Sequence, residues 1–509
     1  MDVFDNLFLG FQIVLQPTNL LYCFVGVFIG TLIGVLPGIG PIGAMSLLMP
    51  ATFRTSPVAA VIMLAGIYYG AQYGGSTTSI LVNIPGEATS VMTCLDGYQM
   101  AKKGRAGPAL GMAAIGSFIA GTISILGLVF LSVPLAKAAL AFGPPEYFAL
   151  MSLGLLVVTF LGHGSMYKAL MMALLGLLIG FVGMDLFTAS FRFTFGLKEI
   201  AEGIGIVPVI MGLFGLAEIM TNIERPLKRE IYEARIKGIL PNLQDWIAAK
   251  GAILRGTIIG FLSGILPGSG AVVGSFASYA IEKKISKYPE KFGSGVIEGL
   301  AAPEAANNAA AQSSFIPLLS LGIPPNVVMA VLFGGLLIHG IQPGPLLIVK
   351  HPDIFWGVLA SMYIGNVMLL ALNLPLIGLW IKILKVPYSI LFPLILFFCV
   401  IGAYSVRNSV ADIYLMVIFG LFGYLLRKFE FEPAPLVLAY VLSPLFETAL
   451  RQSLLMSGGS FSILFSSTIS LVCLALFAAL LIFQIASQIW PKKNPYIPSP
   501  EPRPGNHSS

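Results

Sequence analysis

Two polar clusters and two glycine-rich breaks carry whatever chemistry this sequence can do. The first cluster, Gly74-Gly75-Ser76-Thr77-Thr78-Ser79, places four hydroxyls in a stretch without an acid or base from Thr55 to Gly86, and Asn83 follows before Glu87. The second is Pro303-Glu304 with Asn307, Asn308, Gln312, Ser313 and Ser314, ahead of a charge-free stretch that runs from Ala305 to Val349. Glu304, Asn307 and Asn308 stand at i, i+3 and i+4, so they share one face if the stretch is helical. Hydroxyls and amides hold a carboxylate without a fixed charge. A lone acid among them balances a small cation or carries a proton. The competing reading of Glu304 is a favourable charge at a helix N-terminus opened by Pro303.

The breaks are Pro37-Gly38-Ile39-Gly40 and Pro267-Gly268-Ser269-Gly270. Proline removes a backbone donor and glycine loosens the chain, so each sequence ends a helix. In hydrocarbon an opened backbone group costs several kcal/mol, so such breaks persist only where protein or a water-filled cavity surrounds them. Transporters with internal repeats place them at the membrane midplane. There a half-helix N-terminus offers free N–H groups to an anion, and unwound carbonyls can hold sodium. The Gly268–Gly270 and Asn307 regions are where such an ion would sit. The competing reading of Gly34 and Gly264, just before the breaks, is close helix packing.

These residues need a scaffold, and composition names it. The chain has 509 residues, 57% hydrophobic and 10% charged, against about 25% charged in an average soluble protein. No acid or base occurs from Asn6 to Phe53, Ala106 to Ala136, Gly256 to Ile281 or Gln452 to Pro491 either. At roughly 20 apolar residues per crossing, the sequence predicts an all-α polytopic membrane protein with about 11 to 13 spanning or half-spanning helices, discontinuous at the two breaks. The net charge of +6 resides in short loops, as in cytoplasmic membrane loops, and no stripe of a nucleic-acid binder accompanies it. Cys23, Cys94, Cys399 and Cys473 stand singly, the four histidines do not cluster, and no cofactor is expected. The acidic start MDVFDNLFLG does not read as a cleavable signal. No GxxxxGK[ST], HExxH or GxSxG motif occurs, so the chain is expected not to be an enzyme and not to hydrolyse ATP.

The chain also repeats. Gly30 to Gly40 laid over Gly260 to Gly270 (267 − 37 = 230) matches at seven of eleven positions, where composition gives about one. Asn83-Ile84-Pro85-Gly86 echoes Gly322-Ile323-Pro324-Pro325 at an offset of 322 − 83 = 239. Glu218 and Glu447 each lie in the last helix of a half. The expected organisation is a first half over 1–220, a basic cytoplasmic connection over 221–252, a second half over 253–490 and a disordered polar tail over 491–509. An N-terminus without a basic mark, against a second half that opens from a basic loop, predicts inverted repeats.

The stretches GTLIGVLPGIGP (Gly30 to Pro41), GSGVIEGLAAPEAANNAA (Gly293 to Ala310) and SLGIPPN (Ser320 to Asn326) resemble the large permease subunit of the tripartite tricarboxylate transporters, the TctA family. The resemblance covers nearly the whole chain. It implies a multi-pass protein of the bacterial inner membrane that imports organic anions such as citrate by symport with sodium ions or protons. It also implies two partners, a small membrane subunit and a periplasmic solute-binding protein. Pro37, Gly38, Gly40, Pro267, Gly268, Gly270, Pro303, Glu304, Asn307 and Asn308 match the family's motifs, without a role for each following. A permease of the same build for a dicarboxylate or aromatic acid is the nearest alternative. An anion channel is the alternative of another class, although no ring of charged side chains is evident.

Overall fold

The structure is a computed structural model that describes residues 3–36, 40–161, 165–185, 187–224, 238–268, 270–384, 386 and 388–489. Pro37, Gly38, Ser269, His163, the basic residues Arg225, Lys228, Arg229, Arg235 and Lys237, and the tail over 491–509 lie outside the described residues.

The first part of the chain runs through α1 (Val3–Val14), α2 (Pro17–Val35), α3 (Gly40–Leu48), α4 (Pro57–Val82), α5 (Val91–Met100) and α6 (Ala106–Ala139). Next come α7 (Pro144–Leu161), α8 (Met166–Gly180), α9 (Ile206–Ile210) and α10 (Ala217–Glu224), with a two-residue hairpin pairing Gly183–Met184 with Phe191–Arg192. The second part holds α11 (Leu243–Ile265), α12 (Gly270–Ile285), α13 (Ile297–Ser313), α14 (Phe315–Leu321), α15 (Val327–Ile338), α16 (Leu347–Lys350) and α17 (Pro352–Asn373). It closes with α18 (Ile377–Leu384), α19 (Tyr388–Arg407), α20 (Val410–Lys428), α21 (Ala434–Met456) and α22 (Thr468–Ile489). Among the described residues eight helices are long and apolar enough to cross a membrane, and five shorter apolar helices accompany them. The protein is therefore an all-α polytopic membrane protein. Phe4, Phe130, Leu178, Phe397, Ile418 and Ile482 are exposed on helix surfaces, as lipid-facing side chains must be.

Two helix pairs form the centre, and glycine sets both. A Cβ on Gly26, Gly30 or Gly34 of α2 would sit 2.3, 2.5 or 2.2 Å from the carbonyl oxygen of Met63, Ile67 or Ala71 of α4. A Cβ on Gly256, Gly260 or Gly264 of α11 would come as close to Ala302, Ala306 and Ala310 of α13. Hydrocarbon supplies no hydrophobic drive between helices, so backbone-to-backbone contact of this kind holds them together. Both pairs run parallel, because partner numbers rise together. The packing reading of Gly34 and Gly264 is the one the structure adopts.

The glycine pair does not break α4, which continues from Gly74 through Gly75, Ser76, Thr77 and Thr78 to Val82. Glycine is tolerated there because Gly74 packs on the Thr31 carbonyl, where a Cβ would sit at 2.2 Å. Ser76, Thr78 and Ser79 turn their hydroxyls back onto Gln72, Gly74 and Gly75 carbonyls at 3.0, 3.4 and 2.9 Å. Pro303 does not open a helix; α13 begins at Ile297, so Glu304 lies mid-helix and is not an N-terminal charge. α10 reaches Glu224, and α11 starts at Leu243 because Asn242 and Asp245 form a capping box, with Asp245 N to Asn242 Oδ1 at 2.8 Å.

One end of the centre gathers the basic loops. Arg105 pairs with Asp245 at 2.5 Å, and Lys103 Nζ donates to the Ser294 carbonyl at 2.5 Å. Asp96 accepts from Gly295 N at 2.7 Å, Val296 N at 2.9 Å and Tyr279 OH at 2.9 Å. The remaining helices pack beside this centre: α8 lies on α21, where Ser443 Oγ donates to the Leu177 carbonyl at 3.0 Å. Glu218 and Glu447 close on Arg427 and on Arg192, the latter at 2.6 Å.

Candidate functional site

α4 and α13–α14 cross antiparallel. Ser76 meets Glu304 at 2.6 Å, while Tyr68, two turns earlier, meets Phe315, eleven residues later, with ring centroids 6.3 Å apart. At this crossing Glu304 is fully buried. Its Oε2 accepts from Ser76 Oγ and from Ser117 Oγ at 3.4 Å, and its Oε1 accepts from Thr93 Oγ1. Asn308 Nδ2 donates to Ser117 Oγ at 2.7 Å and to the Glu304 carbonyl at 3.1 Å. All of these partners are uncharged. A buried carboxylate without a counter-charge must be neutral or accompanied by a cation.

Asn307, on the adjacent face of α13, is 1% exposed, and neither its Oδ1 nor its Nδ2 has a hydrogen-bond partner. Buried amides left unpaired in this way are uncommon and call for an explanation such as a bound water, ion or ligand. It stands beside the carboxyl of Glu87. Glu87 Oε1 accepts from Thr89 Oγ1 at 2.6 Å, and Thr89 also reaches Gln72 Oε1 at 2.9 Å. Gly75 makes room for this loop: a Cβ there would sit 3.1 Å from Glu87 Cγ.

The starts of α3 and α12, the helices that follow the two breaks, line one cavity of about 250 Å³. Pro41 and Ile42, at the start of α3, line one side; Gly268, Gly270, Ala271 and Val272, at the start of α12, line the other. Tyr68, Gln72, Glu87, Thr89 and Asn326 complete its polar wall. Gly268 and Gly270 have φ of +81° and +50°, a left-handed conformation that glycine adopts without strain. Gly268 N donates to the Pro325 carbonyl at 2.7 Å, which fixes the break against the Pro324-Pro325 turn. The first turns of two helices, α3 and α12, thus border one space, and a helix N-terminus carries partial positive charge. The volume suits a ligand smaller than drug-sized molecules, whose pockets start near about 300 Å³.

The turn that ends α4 and the turn that ends α14 match residue by residue. Asn83 and Gly322 are both left-handed, at φ/ψ of 57°/29° and 73°/23°. Glu87 and Asn326, four residues on in each, are both extended, at −151°/169° and −151°/172°. Asn326 Oδ1 caps α15 by accepting from Met329 N at 3.0 Å.

The expected site residues therefore separate. Gly268 and Gly270 line the cavity, Gly75 lies against Glu87 in its wall, and Gly40 precedes the lining residue Pro41. Ser76, Glu304 and Asn308 form the sealed cluster, with Asn307 between that cluster and Glu87. Thr77 lines a water-sized chamber beside Ser76 and Ser117. Thr78 is structural, donating to the Val35 carbonyl at 2.9 Å at the end of α2. Ser313 and Ser314 bond to carbonyls of their own helix, at 3.4 and 2.8 Å. Asn83 is an exposed helix stop. Pro37, Gly38 and Ser269 lie outside the described residues, and Pro267 precedes the left-handed Gly268. Among the described residues no group of three His, Cys, Asp or Glu side chains could hold a metal ion. Sequence reasoning missed Glu87, Gln72, Thr89, Thr93, Ser117 and Asn326. The signal for Glu87 was present: it is the first acid after a charge-free run and occupies the repeat position of Asn326.

Comparisons with known proteins give the family. A family profile described as "Tripartite tricarboxylate transporter TctA family" matches residues 20–438. An Agrobacterium vitis protein described as "Uncharacterized 52.8 kDa protein in TAR-I ttuC' 3'region" is 51% identical over 494 residues, 97% of this chain and 98% of its own length. Another from the same organism, "Uncharacterized protein in TAR-II ttuC' 3'region", is 49% identical over 235 residues, 46% of this chain and 97% of its own. No solved structure matches the chain. With more than half of its length under the profile, the chain belongs to the TctA family of tripartite tricarboxylate transporters.

Proposed function

We propose that this chain is the membrane permease subunit of a binding-protein-dependent tripartite system, a secondary active transporter of the bacterial inner membrane. It imports tricarboxylates such as citrate, or related organic acid anions, together with Na+ or H+. It works with a small membrane subunit and a periplasmic solute-binding protein that delivers the substrate.

One observation carries the reading: the N-termini of α3 and α12, freed by the two breaks, line a single cavity. Partial positive charge and unpaired N–H groups favour an anion there. The antiparallel crossing of α4 and α13, with matching turns at their ends, supports two inverted repeats around that site, the build that lets one part rock against the other. A coupling cation belongs beside the buried acids, which have no cationic partner in their hydrogen bonds.

The test is uptake into proteoliposomes containing this chain and both partners, with labelled citrate, succinate and benzoate under separate sodium and proton gradients. Accumulation of one acid above equilibrium supports the reading and names the substrate. Equilibration without accumulation would favour an anion channel instead. Gly268→Leu, which places a branched side chain where a Cβ already lies 2.7 Å from Val158 N, and Asn307→Ala should both abolish accumulation.

A further inference from the structure

The cavity between the breaks is built for an anion by its helix termini and against one by its acids. Glu87 and Glu432 both line it, and none of its described lining residues is Lys, Arg or His. A substrate carboxylate that enters must approach Glu87. Two like charges in contact in a partly dry cavity repel by more than a typical hydrogen bond returns. Asn307 adds a second observation. It is a nearly wholly buried amide with both polar atoms unpartnered, set between Glu87 and the sealed Glu304 cluster.

Resting on the transport reading above, we propose that Glu87 is the residue that ties substrate to a proton. A substrate carboxylate occupies the cavity only when Glu87 is protonated, so one proton crosses with each carboxylate placed there. The proton arrives from the side on which substrate enters, resides on the Glu87 carboxyl, and leaves on the other side as the substrate does. No bond other than O–H forms or breaks. Neutral Glu87 turns from a repelling charge into a donor. The Asn307 amide, unpartnered beside the Glu87 carboxyl, is the nearest further donor for the substrate.

The surroundings allow this role. From α4 Glu87 faces Tyr68 and Gln72, from α13 Asn307 and beyond it Glu304, and across the cavity Glu432 and Asn326. α5 contributes Cys94, turned toward Ser79 and Glu304. α2 and α12 bring only glycine, alanine and valine or backbone to this level. Every ionisable neighbour among the described residues is an acid, a phenol or a thiol. The repeat sharpens the point: where the second turn carries the neutral Asn326, the first carries an acid in the same backbone conformation.

The experiment uses the complete complex in proteoliposomes and the acid of the citrate, succinate and benzoate panel that wild type accumulates. Wild-type KM should rise about tenfold per pH unit above a midpoint, the slope for one linked proton. Glu87→Gln, a permanent mimic of the neutral carboxyl, should hold KM within about twofold over that range. It should still exchange labelled for unlabelled substrate, and should lose proton-driven accumulation. Thr89→Val, which removes a donor to the ionised form, should keep coupling and move the midpoint to higher pH. In substrate-free protein, infrared difference spectra across pH should contain a protonated-carboxyl carbonyl band that Glu87→Gln lacks. The proposal is overturned if Glu87→Gln keeps the wild-type pH slope, accumulates substrate under a proton gradient, or leaves that band in place. Accumulation driven by sodium alone, indifferent to pH, would overturn it while leaving the transport reading intact. Failure of wild type to move any acid of the panel removes the transport reading itself and the proposal with it.

Discussion

The two central regions, α2–α4 with its closing turn and α11–α14 with its own, share a skeleton and differ in chemistry. Gly30 meets Ile67 and Gly260 meets Ala306 in the same way, and both regions end in a left-handed residue followed four positions later by an extended one. At the 239-residue offset the polar side chains are exchanged. Tyr68 answers to Asn307 (307 − 239 = 68) and Gln72 to Ala311 (311 − 239 = 72). The acid lies in the turn at Glu87 in one region and in the helix at Glu304 (304 − 239 = 65, an alanine) in the other. Backbone contact leaves no room for variation, so the glycines persist. Side chains that face a cavity carry no such constraint, and there the regions have diverged.

Breaking the shared skeleton should have the largest effect. Gly260→Leu drives a side chain into the Ala306 carbonyl, where even a Cβ would sit at 2.1 Å. It should cost at least about 3 kcal/mol, the upper range of overpacking. Gly34→Leu should do the same in the other region, seen as lost monodisperse protein and a lowered Tm in detergent. A wild-type Tm for either would separate the two regions in kind.

The exchanged side chains give the next effect. Asn308 holds two hydrogen bonds, so Asn308→Ala should lower stability by about 1–3 kcal/mol. Asn307 holds none, so Asn307→Ala should leave Tm within the range of a neutral change, about 0.5 kcal/mol, while uptake falls by more than tenfold. Equal Tm losses would erase the distinction between the sealed cluster and the amide beside Glu87. Gly40→Ala comes lower. Nothing lies within 4 Å of its would-be Cβ, and only its φ of +63° opposes a side chain, for about 1 kcal/mol.

The smallest effect lies outside the spanning helices. The backbone N–H of Phe187, and with it Arg451, holds the Asp185 carboxyl down to about 2. A depressed carboxyl stabilises the fold above its unfolded value of about 3.9. That contribution fades as pH falls from there through about 2. Asp185→Asn should remove this step from a Tm-against-pH curve in that window and leave uptake at neutral pH unchanged.

Much of this was legible in the residues themselves. Charge-free runs fixed the membrane and the helical class, because hydrocarbon admits no other spanning structure for such segments. The Gly30 and Gly260 segments, alike in sequence, each pack on a partner helix through glycine, and helices begin again at Gly40 and Gly270. Local pattern failed at Gly74–Thr78 and Pro303. Glycine and proline argue for helix ends, and α4 and α13 run straight through them. Tertiary contact overrides propensity where a helix is packed on every side.

What the sequence determined by itself was therefore the solvent and the class of element, since each depends on composition or on chain-local order. Only the tertiary structure decided that the starts of α3 and α12 share one cavity, that Ser76 and Thr93 close on Glu304, and that Glu87 lies beside Asn307. Those meetings join residues about two hundred positions apart, and spacing along a chain carries no record of which antiparallel helices will cross.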